Sequence, residues 1–388
     1  MNLDGELRLH VGLRERPGGV RVVSAGVSST RPHLASRVFA GRAVGEVAAM
    51  VPRLFSVCGR AQGIASALAC EAASGAQAPA AVSEARKLLA GVESFHEGVW
   101  RILLDWPRML GSEPSVKEFA AAHSALDATT ARVGGAAGLA PVPPGEESVA
   151  AAGQSARAVA GDVLSRHVLG TTHERWDVLG SVDELADWAD SRHTPAADMV
   201  ARMHGQDATL GASEVPLLPR VDSNAALRTL ATAIEADAQF ARAPHWNSRP
   251  AETGPLARMH AHPLVAALVS RFGRSAFARF VARLAELCSF AAGASPQIGC
   301  SGLEPGCGIG WVETSRGLLL HYAELDGSRV RTYRIVAPTE WNFHPQGALP
   351  RGLEGGEYQT EDALRRAVSL LVQSLDPCVA WTMEVAHA

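Results

Sequence analysis

Apolar and polar residues alternate from Glu6 to Gly12, with Leu7, Leu9 and Val11 on one side of the pattern and Arg8 and His10 on the other. That is the period of a half-buried strand. A second strand, Val20 to Val27, follows the Pro17-Gly18-Gly19 turn, so the chain opens with a predicted hairpin. From Val44 the period becomes helical. Pro79 to Leu110 reads as one long helix or two shorter ones. Further helical stretches run over Ser148–His167, Val182–His204, Ala225–Phe240 and Pro263–Ala292. Ser115 with Glu118, ahead of Phe119, has the spacing of a capping box. Ser181 with Glu184, ahead of Leu185 and Trp188, has it too. Between Trp311 and Val336 strand character returns, with Asp326-Gly327 as the hairpin turn joining Leu318–Leu325 to Val330–Val336. A last helix covers Thr360–Ser374. No internal repeat is visible. The fold class is α+β: a mainly helical body with short antiparallel strands near the N-terminus and at about 311–337. Residues 1–388 read as one domain, with an Ala/Gly/Pro-rich flexible loop near 133–147.

Composition narrows the function classes. At 388 residues and 47% hydrophobic, the chain can bury a large core. Abundant alanine and glycine with only 5% aromatics favours closely packed helices of small side chains. A net charge of -4 supplies no field for nucleic acid or an anionic membrane. The N-terminus, Met1-Asn2-Leu3-Asp4-Gly5, does not start a secretory signal, and no apolar run has bilayer length. Six dispersed cysteines in so long a chain fit a cytoplasmic protein with reduced thiols.

Two of the cysteines stand at element boundaries: Cys58 before Gly59, and Cys378 after Asp376-Pro377. A lone cysteine is by default a buried small hydrophobe. That default holds for Cys70 and Cys288, which lie in apolar helices. Cys300 and Cys307 are separated by six residues, a gap that fits no usual zinc spacing. His260 and His262 resemble a metal pair only superficially, and His321 on an apolar strand reads as a satisfied core histidine.

The motifs change the weight of Cys58 and Cys378. Cys58-Gly59-Arg60-Ala61 and Asp376-Pro377-Cys378-Val379-Ala380-Trp381 resemble the Arg-Ile-Cys-Gly-x-Cys and Asp-Pro-Cys-x-x-Cys segments of nickel–iron hydrogenase large subunits. Between them, Ser315-Arg316-Gly317-Leu318-Leu319-Leu320-His321 resembles Pro-Arg-Gly-x-Leu-x-His, and Val336-Ala337-Pro338-Thr339-Glu340-Trp341-Asn342 resembles Val-Val-Pro-Thr-Thr-Trp-Asn. The clear resemblance covers roughly residues 28–75 and 310–381. The departures matter as much. Ala61 and Trp381 stand where the second cysteine of each pair is expected, and neither is a metal ligand. Glu384 replaces the histidine three residues beyond the last cysteine, with His387 close by. Glu46 has the wrong spacing to be the proton-passing glutamate, and little chain follows Trp381 for proteolysis to remove.

One cysteine per pair, no proton relay and no tail resemble the HupK/HoxV family of hydrogenase assembly proteins, as do Phe39-Ala40-Gly41-Arg42, Leu54 to Gln62 and Leu103-Leu104-Asp105-Trp106-Pro107-Arg108. The resemblance implies a non-catalytic maturation scaffold. Such a protein carries iron with cyanide and carbonyl ligands, Fe(CN)2CO, without nickel. Its partners would be Hyp-type accessory proteins that assemble the iron unit and a hydrogenase large subunit precursor. It implies Cys58 and Cys378 as metal ligands, Arg316 and Thr339 with Pro338 as the cyanide-binding group, and Asp376 as the carboxylate that orients Arg316. Because the kept cysteines match the enzymes' terminal nickel ligands, it also implies an iron in a shifted or loosely held position. The alternatives are a metal-free structural paralogue of the large subunit and a redox metalloenzyme.

Overall fold

The structure, a computed structural model, describes residues 5–32, 35–55, 57–221 and 223–387. Met1–Asp4 and Ala388, which bear on the readings of the two chain ends, lie outside the described residues.

The opening alternation becomes a strand in which Leu7, Leu9, Val11 and Leu13 are all buried. The strands are β1 Glu6–Arg16, β2 Gly19–Ser29, β3 Ile298–Gly302, β4 Cys307–Thr314, β5 Gly317–Asp326, β6 Arg329–Val336, β7 Glu357–Tyr358 and β8 Ala380–His387. They form two four-stranded sheets, ordered β7-β2-β1-β8 and β3-β4-β5-β6. The second sheet is antiparallel throughout. In the first, β8 runs parallel to β1, from Glu6 opposite Ala380 to Leu13 opposite His387. The antiparallel strands expected near the N-terminus and at about 311–337 both form, and β8 adds a parallel strand. The C-terminal residues are a strand, and β1 carries it into the first sheet.

The predicted helices form, with breaks where backbone chemistry demands them. Val182–His204 divides into Val182–Asp190 and Pro195–Gln206, the second capped by the Thr194 hydroxyl with proline in its first turn. Pro263–Ala292 divides at Gly273, whose φ of 70° suits glycine, into Pro263–Phe272 and Ala276–Ala291. Pro79–Leu110 is nearly continuous, passing through one π turn at Arg101–Asp105. The Ser181/Glu184 capping box forms in full. The Ser115/Glu118 box does not: Ser115 makes no side-chain cap bond, and the helix Val116–Thr130 starts without one. Segment 133–147 contains a short 3-10 turn, Gly134–Ala137, and leads into the helix Glu146–Val163.

Small residues bring the two halves of the chain together. The helix Gly59–Ser74 is buried on nearly every side and lies against β4. At Gly310 a Cβ would come within 2.5 Å of Ala65 O and Ala69 N, so only glycine permits this approach. Cys58 occupies the N-cap position of that helix without a side-chain cap bond of its own. Cys378 follows the helix Glu361–Leu375, whose C-cap Asp376 holds a left-handed φ of 55°. The fold therefore places Cys58 and Cys378 beside Arg316 and the start of β5.

Candidate metal-holding site

One cleft is lined by Arg31, Phe55, Val57, Cys58, Gln62, Thr314, Arg316, Leu319, Ala337, Pro338 and Cys378. Counting the part open to solvent it spans about 450 Å³, and its innermost space is about 20 Å³. A larger apolar cavity, about 1340 Å³ when likewise counted with the part open to solvent, shares Arg31, Phe55 and Ala337 with it. The structure thus brings together Cys58, Cys378, Arg316 and Pro338. Thr339 and Asp376 stand immediately behind Cys378 and Arg316 respectively.

Each sulfur faces hydrogen-bond donors. Arg31 Nη2 donates to Cys378 Sγ at 3.0 Å, and Thr339 Oγ1 lies 3.0 Å from the same sulfur. Gln62 Nε2 points at Cys58 Sγ from 3.7 Å. Burial, then the nearby Cys378, Glu97 and Glu93, push the Cys58 thiol above its usual range. Binding a cation would remove that proton, because a ligating sulfur is a thiolate.

Arg316 is 3% exposed and its guanidinium is only partly satisfied. Nη1 donates to Glu97 Oε2 at 2.5 Å, while Nε lies 3.5 Å from Asp376 Oδ1. Nη2 is buried with no hydrogen-bond partner among the described residues. An unmet donor on a buried guanidinium costs free energy unless something in the cleft accepts from it. The backbone of Arg316 is held by the Asn342 amide, which donates to its carbonyl at 3.0 Å.

Asp376 does less for Arg316 than the sequence implies. Its short bonds go to Arg101 Nε at 2.7 Å and Arg283 Nη1 at 2.6 Å. Burial alone would raise its carboxyl, but Arg101, Arg316 and Arg283 hold it well below the usual carboxylate range. The tight partner of Arg316 is Glu97, which also accepts from the Ser315 hydroxyl. Four residues earlier on the same helix, Glu93 accepts from the backbone N–H groups of Arg60 and Ala61, both at 2.8 Å. It thereby caps the helix that Cys58 begins. Burial and the neighbouring Glu97 push Glu93 up to about 8.

Arg31, Glu93 and Glu97 lie outside the quoted motifs, and Gln62 ends one of them without a role assigned to it. The pair Glu93 and Glu97, spaced four apart inside the apolar run Leu88–Val99, was the available signal. Glu46 is exposed and takes no part. Ala61 is buried, and Trp381 lies in β8 opposite Leu7. Glu384 pairs with His10 on the exposed face of the first sheet, and His387, opposite Leu13 in β8, pairs with Glu361 at the start of the helix Glu361–Leu375. Cys70 and Cys288 are buried. Cys300 is exposed on β3 and Cys307 starts β4. His260 bonds to the Ala257 carbonyl, and His262 faces Asp177. No group of three His, Cys, Asp or Glu side chains among the described residues is arranged to hold a metal.

The family model for nickel-dependent hydrogenase matches residues 302–383. The hydrogenase expression/formation protein HoxV of Cupriavidus necator is 36% identical over 400 residues, covering 96% of this chain and 95% of the relative. The hydrogenase expression/formation protein HupK of Rhizobium leguminosarum bv. viciae is 31% identical, covering 94% of this chain and 93% of the relative. Among solved structures, the Ni-Fe-Se hydrogenase of D. vulgaris Hildenborough superposes with a TM-score of 0.59 at 16% identity, covering 94% of each chain. That likeness concerns the fold alone.

Proposed function

Because the chain belongs to the HoxV/HupK family of hydrogenase expression/formation proteins, we propose that it is a non-catalytic scaffold that holds the iron–cyanide–carbonyl unit and passes it to a nickel–iron hydrogenase large subunit. The observation that carries this reading is the pairing of two thiols with a buried, partly unsatisfied guanidinium in one cleft. Thiolates are soft donors suited to low-spin iron. The free Nη2 of Arg316 suits the outward nitrogen of a cyanide, a small acceptor on a buried complex. Cys58 and Cys378 would ligate iron. Arg31 and Thr339, at the Cys378 sulfur, would stabilise that thiolate.

The missing thiols limit the site to cargo. With Ala61 and Trp381 in place of two cysteines, no set of four thiolates forms to bind nickel beside the iron. Partners are Hyp-type accessory proteins that supply the unit and a large subunit precursor that receives it, in the cytoplasm. No helix among the described residues is long and apolar enough to cross a membrane.

The test is infrared spectroscopy of protein isolated without air, since cyanide and carbonyl stretches fall where protein does not absorb. Bands from two cyanides and one carbonyl, lost on removal of either cysteine, are expected. Their absence from protein co-produced with the accessory proteins would favour the metal-free structural paralogue.

A further inference from the structure

The Cys58 sulfur stands at the end of a buried chain of hydrogen bonds. Gln62 Oε1 lies 2.8 Å from His321 Nε2, His321 Nδ1 lies 2.7 Å from the Tyr333 hydroxyl, and that hydroxyl lies 2.8 Å from Ser66 Oγ. All four side chains are 1% exposed or less. Gln62 and Ser66 are one turn apart on the helix that starts at Cys58. His321 on β5 and Tyr333 on β6 are diagonal neighbours, since His321 pairs with Ile335. Helix and sheet are therefore stapled together by polar groups directly behind a candidate ligand.

The chain has a direction. Burial holds the His321 imidazole neutral, so it carries one N–H. Gln62 Oε1 can only accept, which places that hydrogen on Nε2 and leaves Nδ1 to accept from Tyr333; the single Tyr333 hydrogen is then spent on His321, so in the 2.8 Å pair with Ser66 the Ser66 hydroxyl donates. The Gln62 amide then has its NH2 turned toward Cys58. The reverse polarity would present Gln62 oxygen to the sulfur, an arrangement only an S–H could satisfy. A sulfur bound to metal has no proton to give, so a loaded site requires the donor polarity.

We propose that Ser66, Tyr333, His321 and Gln62 form an orienting chain that fixes the Gln62 NH2 as a hydrogen-bond donor to the Cys58 sulfur, and so sets how strongly that sulfur holds its cargo. The proposal rests on the carrier reading for its purpose, though not for its geometry. Gln62 and His321 are positioning residues in this scheme. A donor on a ligating sulfur withdraws electron density from it, which weakens the metal–sulfur bond and eases release. The bonds also belong to one network, so their effects are coupled.

The experiment uses the full chain with Gln62→Met, which keeps size and loses the amide. In loaded protein the carbonyl stretch is expected to move to lower wavenumber, because a more electron-rich sulfur increases back-donation from iron. His321→Leu should move it the same way, and His321→Gln, which restores an N–H toward Gln62, should bring it back toward its original position. In cargo-free protein at one fixed pH, alkylation of Cys58 followed by mass spectrometry should slow about fivefold in Gln62→Met, the change expected from losing one hydrogen bond of roughly 1 kcal/mol to the thiolate. If Gln62→Met does not fold, Gln62→Leu serves the same comparison. An unchanged carbonyl band or an unchanged alkylation rate in folded variant overturns the proposal. If the unaltered protein shows no diatomic bands at all, the carrier reading fails alone, and the alkylation comparison still decides whether Gln62 serves the sulfur.

Discussion

Arg31 and Cys378, 347 residues apart in the chain, meet with guanidinium Nη2 3.0 Å from sulfur. The same guanidinium lies 3.3 Å from Glu340 Oε1, and the Glu340 side chain is only 3% exposed. Arg31→Met therefore removes a donor from the sulfur and leaves a buried carboxylate without its cation. A loss of about 3 kcal/mol is expected from breaking a buried pair on one side. Arg31→Met with Glu340→Gln should recover much of that stability without recovering cargo binding. Urea denaturation of the single and double variants, with iron analysis of each, checks both halves.

Arg316→Lys should leave the fold intact and weaken cargo binding. Lysine keeps the charge between Glu97 and Asp376 but loses the planar fork. The atom that matters is Nη2, which has no partner among the described residues. Loss of one charge-assisted hydrogen bond corresponds to roughly a tenfold or greater drop in cargo retention. Unchanged infrared bands and unchanged iron content in the variant would remove Arg316 from the binding group.

His321 predicts a dependence of stability on pH. Burial lowers its pKa from 6.5 to about 3 in the folded chain. A group that folds neutral but protonates when unfolded contributes fully above the unfolded pKa and loses that contribution as pH falls. Between about pH 6.5 and 3 the unfolded state holds more protons at this residue, so stability should fall by up to about 1.4 kcal/mol per pH unit from His321 alone. His321→Gln should flatten the slope between pH 7 and 5 relative to the unaltered protein. Parallel slopes for the two would show that His321 is not buried neutral.

Much of the fold was legible because local chemistry and tertiary structure agree. The Leu7, Leu9, Val11 alternation faces inward, and Ser181 with Glu184 caps as its spacing suggests. Strand β8 was not legible, since its partner β1 lies at the other end of the chain and a short C-terminal segment carries no parallel-pairing signal. The site divides similarly. Cys58, Cys378 and Arg316 carry motif spacing and share one cleft. Glu97 was hidden because a carboxylate inside a helix reads as surface polarity until a buried arginine is found against it.

Purified, loaded protein should contain iron and no stoichiometric nickel. The positions that would complete a set of four thiolates are Ala61, whose N–H is held by Glu93, and Trp381, which is built into β8. Neither side chain carries an atom that can bind a metal. Elemental analysis finding one nickel per chain, dependent on Cys58 and Cys378, would contradict the cargo assigned to the site.

Cys58→Ala and Cys378→Ala should each abolish stable iron binding and stop maturation of a partner hydrogenase, while the protein accumulates in folded form. The reasoning concerns ligand number. Two thiolates on one cation make a chelate whose second bond forms at high effective concentration, whereas one thiolate with hydrogen bonds to cyanide leaves a labile site. Each cysteine lost should therefore cost nearly the whole site, and the double variant should bind little worse than either single one. Folding should survive because neither cysteine lies deep in the core: both are partly exposed at the cleft, and the substitution removes one atom. Removing Cys58 also spares the cap on its helix, which Glu93 provides through the N–H groups of Arg60 and Ala61. Iron analysis, infrared spectra and hydrogenase activity of the partner, measured together for both single variants and the double, decide the matter. Full iron and full maturation in either single variant would make that cysteine a packing residue and hand the cleft to the structural-paralogue reading.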